Sequence, residues 1–132
     1  MFKLVVAAFI VLHGLVHLLY AGQGWRIFEL QAGMTWPDGS WAFSQILGER
    51  VTRSLVSTGC VLSALGFAAA GLGLLLDQTW WQSITAASAV LSSFVFVLAW
   101  NGKPTKLAEQ GLIALLINAA ILVGTLVFDW PG

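Results

Sequence analysis

Apolar residues run along this chain in four long, nearly uncharged blocks. Leu4 to Ala21 is the first, with no charge between Lys3 and Arg26. Ser54 to Leu76 is the second and is stopped by Asp77, Trp80 to Trp100 is the third, and Leu112 to Phe128 is the fourth, extended back toward Leu107. A membrane span takes roughly 20 mostly apolar residues. In lipid the backbone must satisfy its own hydrogen bonds, which runs of this length do as helices. The pattern therefore predicts an all-α integral membrane protein, a four-helix bundle with spans at about 4–21, 54–76, 80–100 and 108–128, in one domain over 1–132. The short Asp77-Gln78-Thr79 turn makes the second and third helices antiparallel neighbours. Asn101-Gly102-Lys103-Pro104 is a helix-stop cluster before the fourth.

The stretch from Gln23 to Arg50 is too long for a tight turn and too polar to span. Trp36-Pro37-Asp38-Gly39 is a turn signal, because proline fixes φ and glycine supplies a positive one. Ser40 is placed to cap a short helix through Leu47 that Gly48 would stop. With Trp41, Ile46 and Leu47 on it, this segment is expected to lie on the bilayer as an interfacial helix; the alternative is a re-entrant lid over the bundle.

Composition sharpens the class. Of 132 residues, 58% are hydrophobic and 9% charged, against about 25% charged in soluble domains, and the mean hydropathy is +0.86. Six basic and six acidic residues cancel, so no nucleic-acid partner is expected. One cysteine excludes an internal disulfide and a cysteine zinc site. Lys3 stands alone on the side of the termini and the middle turn, whereas Arg26, Arg50, Arg53, Lys103 and Lys106 lie on the other. The positive-inside rule then puts the first and third loops in the cytoplasm and both termini outside. A cleavable signal peptide is the competing reading of the first block, but its apolar core would hold two histidines. The seven tryptophans fall near predicted span ends, as an aromatic belt does.

Candidate chemistry sits on the first helix. His13 and His17 are one turn apart, and with Tyr20 they fall within about 60° of one another. Such a polar stripe should face the bundle. It suits a quinone or another polar-headed ligand, a proton relay, or simple hydrogen bonding to neighbouring helices. A metal site is not expected, since further ligands are missing. Ser88 and Ser92 on the third helix, and Asn118 on the fourth, are the partners available to the stripe. On the second helix Gly59, Ser63, Gly66, Ala70 and Gly73 align within about 80° and should permit close packing, within the chain or in a homodimer seam. Arg50 and Arg53 are placed to anchor at the interface or to bind an anionic headgroup. No nucleophile–base pair is readable, and no cofactor is named by the sequence.

Leu12-His13-Gly14-Leu15-Val16-His17-Leu18 resembles the opening of a group of small bacterial four-helix membrane proteins, loosely similar to the DoxX-like family. The likeness continues through Arg50 and Arg53, a Leu/Ala/Gly-rich second helix, Trp80-Trp81 and a lysine-bearing loop before the fourth helix. The resemblance implies a bundle in the bacterial inner membrane and, in DoxX itself, association with thiosulfate and quinone redox chemistry. The long tryptophan-bearing first loop departs from that group. Two functions follow as expectations. One is a non-catalytic binding or accessory subunit for a quinone-like, lipid or redox partner near the histidines, in a homodimer or a larger membrane complex. The other is a small proton-linked transporter.

Overall fold

The computed structural model describes residues 2–104, 107 and 110–127. The described residues are helical, without strands, in the order α1 (Phe2–Gly24), α2 (Ser44–Leu75), α3 (Trp81–Ala99) and α4 (Leu112–Leu122), the last running on into a π-helical turn, Val123–Val127. Three of these helices, α1, α2 and α3, are long and apolar enough to cross a membrane.

The fourth element differs from its expected span. It begins at Leu112 rather than near residue 108, because Gly111 takes a left-handed φ of 88° that interrupts the helix. A side chain at Gly111 would run into the Phe96 ring, so both its conformation and its surroundings demand glycine. The 11 residues of α4 and the 5 of the π turn cover about 24 Å at 1.5 Å each, short of the ~30 Å hydrocarbon core. Its expected far end, Phe128, lies outside the described residues, as do Ala108 and Glu109.

Helices pack in chain order, α1 on α2, α2 on α3 and α3 on α4. Small residues make the approach possible. A Cβ on Gly14 would sit 2.7 Å from the Phe67 Cβ, one on Gly59 would sit 2.6 Å from Val95, and one on Gly66 would strike the Ser88 hydroxyl. The predicted stripe of small residues on α2 is therefore occupied from within the chain, by α3, and not left open as a seam for a second copy. Two apolar clusters result. One holds Ala7, Ile10, Phe67, Leu74, Trp81 and Ile121. The other holds Ala21, Met34, Trp36, Cys60, Phe96 and Ala114. Between them on α1, α3 and α4 lie His13 and His17, Ser92, and Asn118, all buried.

The first loop shortens the expected short helix, which keeps Trp41, Ile46 and Leu47 on the surface. Only Ser44–Leu47 is helical before Gly48 breaks the path at φ 80°, and α2 then runs on from Glu49. The rest folds back over the helix ends as a cap. Trp36, expected in the interfacial belt, is 4% exposed and packs its ring on Tyr20 and Phe96, with centroids 5.1 and 5.7 Å away. Ser40 does act as a local cap, accepting from the Phe43 amide at 3.2 Å. It also donates to the Leu98 carbonyl at 2.5 Å, while the Trp41 amide bonds the Trp100 carbonyl at 2.8 Å. These bonds tie the cap to the end of α3. At the opposite end an ion pair joins Lys3 to Asp77 in the α2–α3 turn.

Gly66→Leu should force α2 and α3 apart at Ser88 and lower the thermal unfolding midpoint in detergent, with overpacking of this kind costing roughly 1–3 kcal/mol. An unchanged midpoint would contradict the packing of α2 on α3.

Candidate functional site

His13 and His17 project from one face of α1 because residues four apart stack on a helix. The two imidazoles lie edge to face with centroids 5.0 Å apart. Phe67 covers both, at 4.9 Å from His13 and 5.4 Å from His17, and Phe96 lies 5.7 Å from His17. The rings thus sit in an apolar box, where each polar atom needs a partner.

The partners come from α3 and α4 and form a closed circuit with one consistent proton assignment. The His13 carbonyl has no proton, so His17 Nδ1–H donates to it at 2.9 Å. In the neutral ring His17 Nε2 then accepts, from the Ser92 hydroxyl at 2.5 Å. Ser92 Oγ in turn accepts from Asn118 Nδ2 at 2.8 Å. That turns the Asn118 oxygen to His13, whose Nε2–H donates to it at 2.7 Å. Asn118 Nδ2 also reaches Ser93 Oγ at 3.3 Å. Four side chains from three helices are locked, and both imidazoles are neutral in this assignment.

The circuit unites His13, His17, Ser92 and Asn118 from the residues singled out in the sequence and adds Ser93, which shared no face with Ser92 by period. Ser88 is one turn away and packs on Gly66 instead. Tyr20 lies a turn beyond His17, with its ring against Trp36 and Phe96 at 5.1 and 4.9 Å. Among the described residues no three His, Cys, Asp or Glu side chains come together as a metal site.

A cleft of about 310 Å³ separates α1 from the last turns of α4. Its walls include Phe2, Val5, Phe9, Ile10, Ile121 and Gly124. The next turns inward on the two helices carry His13 and Asn118. Phe9 lies parallel to the His13 ring, at a 7° interplanar angle and a centroid distance of 6.4 Å. The π-helical turn lines the outer part of the cleft, and a Cβ at Gly124 would meet nothing within 4 Å. π-Helical turns of this sort are rare and frequent at functional sites.

Arg50 and Arg53 are separated by the structure. Arg50 is exposed. Arg53, expected at a headgroup, is held instead by Asp38 of the cap: Nε and Nη2 donate to the two carboxylate oxygens, each at 2.6 Å. Arg26 joins the same carboxylate at 3.1 Å and donates to the carbonyls of Gln23, Trp36 and Thr35. The buried Gln23 amide bonds the Met34 and Trp36 carbonyls from below. The Trp-Pro-Asp-Gly signal predicts a backbone turn, and the partners of its carboxylate are set only by the folded loop. Burial alone would raise the Asp38 carboxyl, but the Arg53 hydrogen bonds and the charges of Arg26 and Arg53 outweigh it and hold it below the ordinary carboxylate range.

Because that value is lowered on folding, the stabilisation is complete above the unfolded carboxylate value of about 4 and is lost as pH falls through the folded one. Asp38→Asn should therefore cost roughly 1–3 kcal/mol at neutral pH and should flatten the acid limb of a stability–pH profile. An unaltered profile would rule the clasp out as its source. Asn118→Leu should leave His13 Nε2–H unpaired and lower stability by about 1–3 kcal/mol, with faster amide exchange in α4. Wild-type exchange in that variant would mean that the circuit does not hold α4. No family model, curated protein or solved structure matches the chain.

Proposed function

We propose that this chain is a multi-pass membrane protein, a four-helix bundle that binds a lipid or quinone-like ligand without catalysis, against the first-helix histidines. The observation that carries this reading is the α1–α4 cleft. It is apolar along its walls and stops one helical turn short of the His13–Asn118 pair. Small-molecule sites combine an apolar enclosure with a few placed polar groups, and a cleft open sideways on a membrane helix pair faces the phase in which such ligands dissolve. The resemblance to small DoxX-like proteins, with its redox and quinone associations, points the same way. It also suggests the bacterial inner membrane and leaves room for a larger complex or a homodimer.

Binding is favoured over proton-linked transport by the form of the circuit. A proton passed around it would have to leave through the His13 carbonyl, which carries none, or through the Asn118 amide, a poor proton carrier. The same circuit would hold the floor of a binding cleft rigid.

Two measurements test the proposal. Mass and visible absorption spectra of the detergent-extracted protein should reveal a copurifying ligand, and His13→Gln or His17→Gln should lose it while remaining folded. Retention of the ligand by both folded variants would leave the histidines as interhelical bonds only. For orientation, the bias of Arg26, Arg50, Arg53, Lys103 and Lys106 against Lys3 predicts that a reporter fused after Gly132 is active outside the cytoplasm. Cytoplasmic activity would reverse the assignment.

A further inference from the structure

The capped end of the bundle leaves a cation without a counter-charge. Among the described residues, ion pairs join Lys3 to Asp77 and both Arg26 and Arg53 to Asp38, and none joins Arg50. Its sequence neighbour Glu49 is turned to the cap, where it accepts the Gly39 amide at 3.0 Å. Arg50 itself is exposed, two residues past the break at Gly48. Ser54 follows one turn later on the same face, since residues four apart stack on a helix, and it too is exposed. The end of α1 brings Trp25 to this edge. Its indole N–H reaches Ser54 Oγ at 3.5 Å, a long and weak bond, and the residue is 43% exposed. A guanidinium, a hydroxyl and an indole N–H thus share one edge of the α1–α2 pair. Further along that edge, about three and five turns beyond Ser54, Leu65 and Leu72 are exposed.

From this arrangement we propose that Arg50, Ser54 and Trp25 bind the phosphate of an anionic phospholipid, whose chains lie along Leu65 and Leu72. The site is separate from the α1–α4 cleft and does not depend on it. Three donors beside an uncompensated positive charge call for an anion with several acceptor oxygens, and a guanidinium fork matches phosphate. The edge lies where α2 passes from the cap into its apolar span, the level at which tryptophan and arginine meet headgroups. A zwitterionic head brings its own cation and leaves the Arg50 charge unanswered, so the selection is for a net anionic lipid. A phosphate without chains gains nothing from the apolar edge below it. In the orientation proposed above, this edge meets the cytoplasmic leaflet, whose surface is negative.

The test uses native mass spectra of the full chain released from micelles holding equal amounts of phosphatidylglycerol and phosphatidylcholine. Phosphatidylglycerol should be retained about fivefold more, the ratio for one unpaired cation near anionic lipid. Arg50→Gln should remove the preference at an unchanged unfolding midpoint, because Arg50 holds no ion pair in the fold. Lys103→Gln removes the same charge from the exposed α3–α4 connection and should keep the preference, as should His13→Gln. Trp25→Phe, which keeps a ring but loses the donor, should lower retention. In nanodiscs, magnetisation transfer should connect the lipid phosphorus to the Trp25 indole proton. A preference that survives Arg50→Gln, one that falls equally in Lys103→Gln or His13→Gln, or a missing phosphorus–indole contact would each overturn the site. Displacement of the lipid by millimolar glycerol phosphate would assign these donors to a soluble phosphate ester and overturn the lipid.

Discussion

Polar atoms enclosed in apolar surroundings must find partners, and that constraint organises this molecule. His13, His17, Ser92 and Asn118 are all buried. Each bonds the next. The circuit is a hydrogen-bonded link between α1 and α4, which also share an apolar cluster through Ile10 and Ile121. It sits as a thin polar layer between two apolar clusters. Displacing any of the three helices along its axis would break bonds that nothing else can replace, so the layer sets the register in which the clusters pack.

The cap solves a related problem at one end of the helices. A loop of this length carries many backbone groups, and Gln23, Arg26 and Ser40 bond those that the turn leaves open. The Asp38 carboxylate gathers Arg26 and Arg53, which neutralises charge near the span ends. Trp36 then closes the aromatic layer formed with Tyr20 and Phe96. One end of the molecule is thus covered by protein, whereas the α1–α4 seam at the other is open from the side. The open seam runs along the π-helical turn and ends a helical turn from the His13–Asn118 pair.

Much of the fold was legible because helical periodicity and hydropathy are local properties. The apolar blocks gave α1, α2 and α3, the four-residue spacing put His13 and His17 on one face, and Asn118, the lone amide deep within an apolar block, had to bond across helices. The small-residue stripe on α2 announced a close neighbour. What the sequence could not decide was every choice that depends on how one element is rotated or shifted against another. Ser88 and Ser92 share a face of α3, but only Ser92 stands at the height of His17, while Ser88 meets Gly66. Arg53 read as a surface anchor until the folded loop delivered Asp38, fifteen positions away, to its side. Trp36 has the composition of an interfacial residue, and its burial depends on a slot that exists only once Tyr20 and Phe96 are assembled. The start of α4 at Leu112 is likewise tertiary in origin: Gly111 must pass the Phe96 ring, and the backbone turns left-handed there. Pattern along a chain determines which faces are polar, and only the packed structure determines which atoms meet.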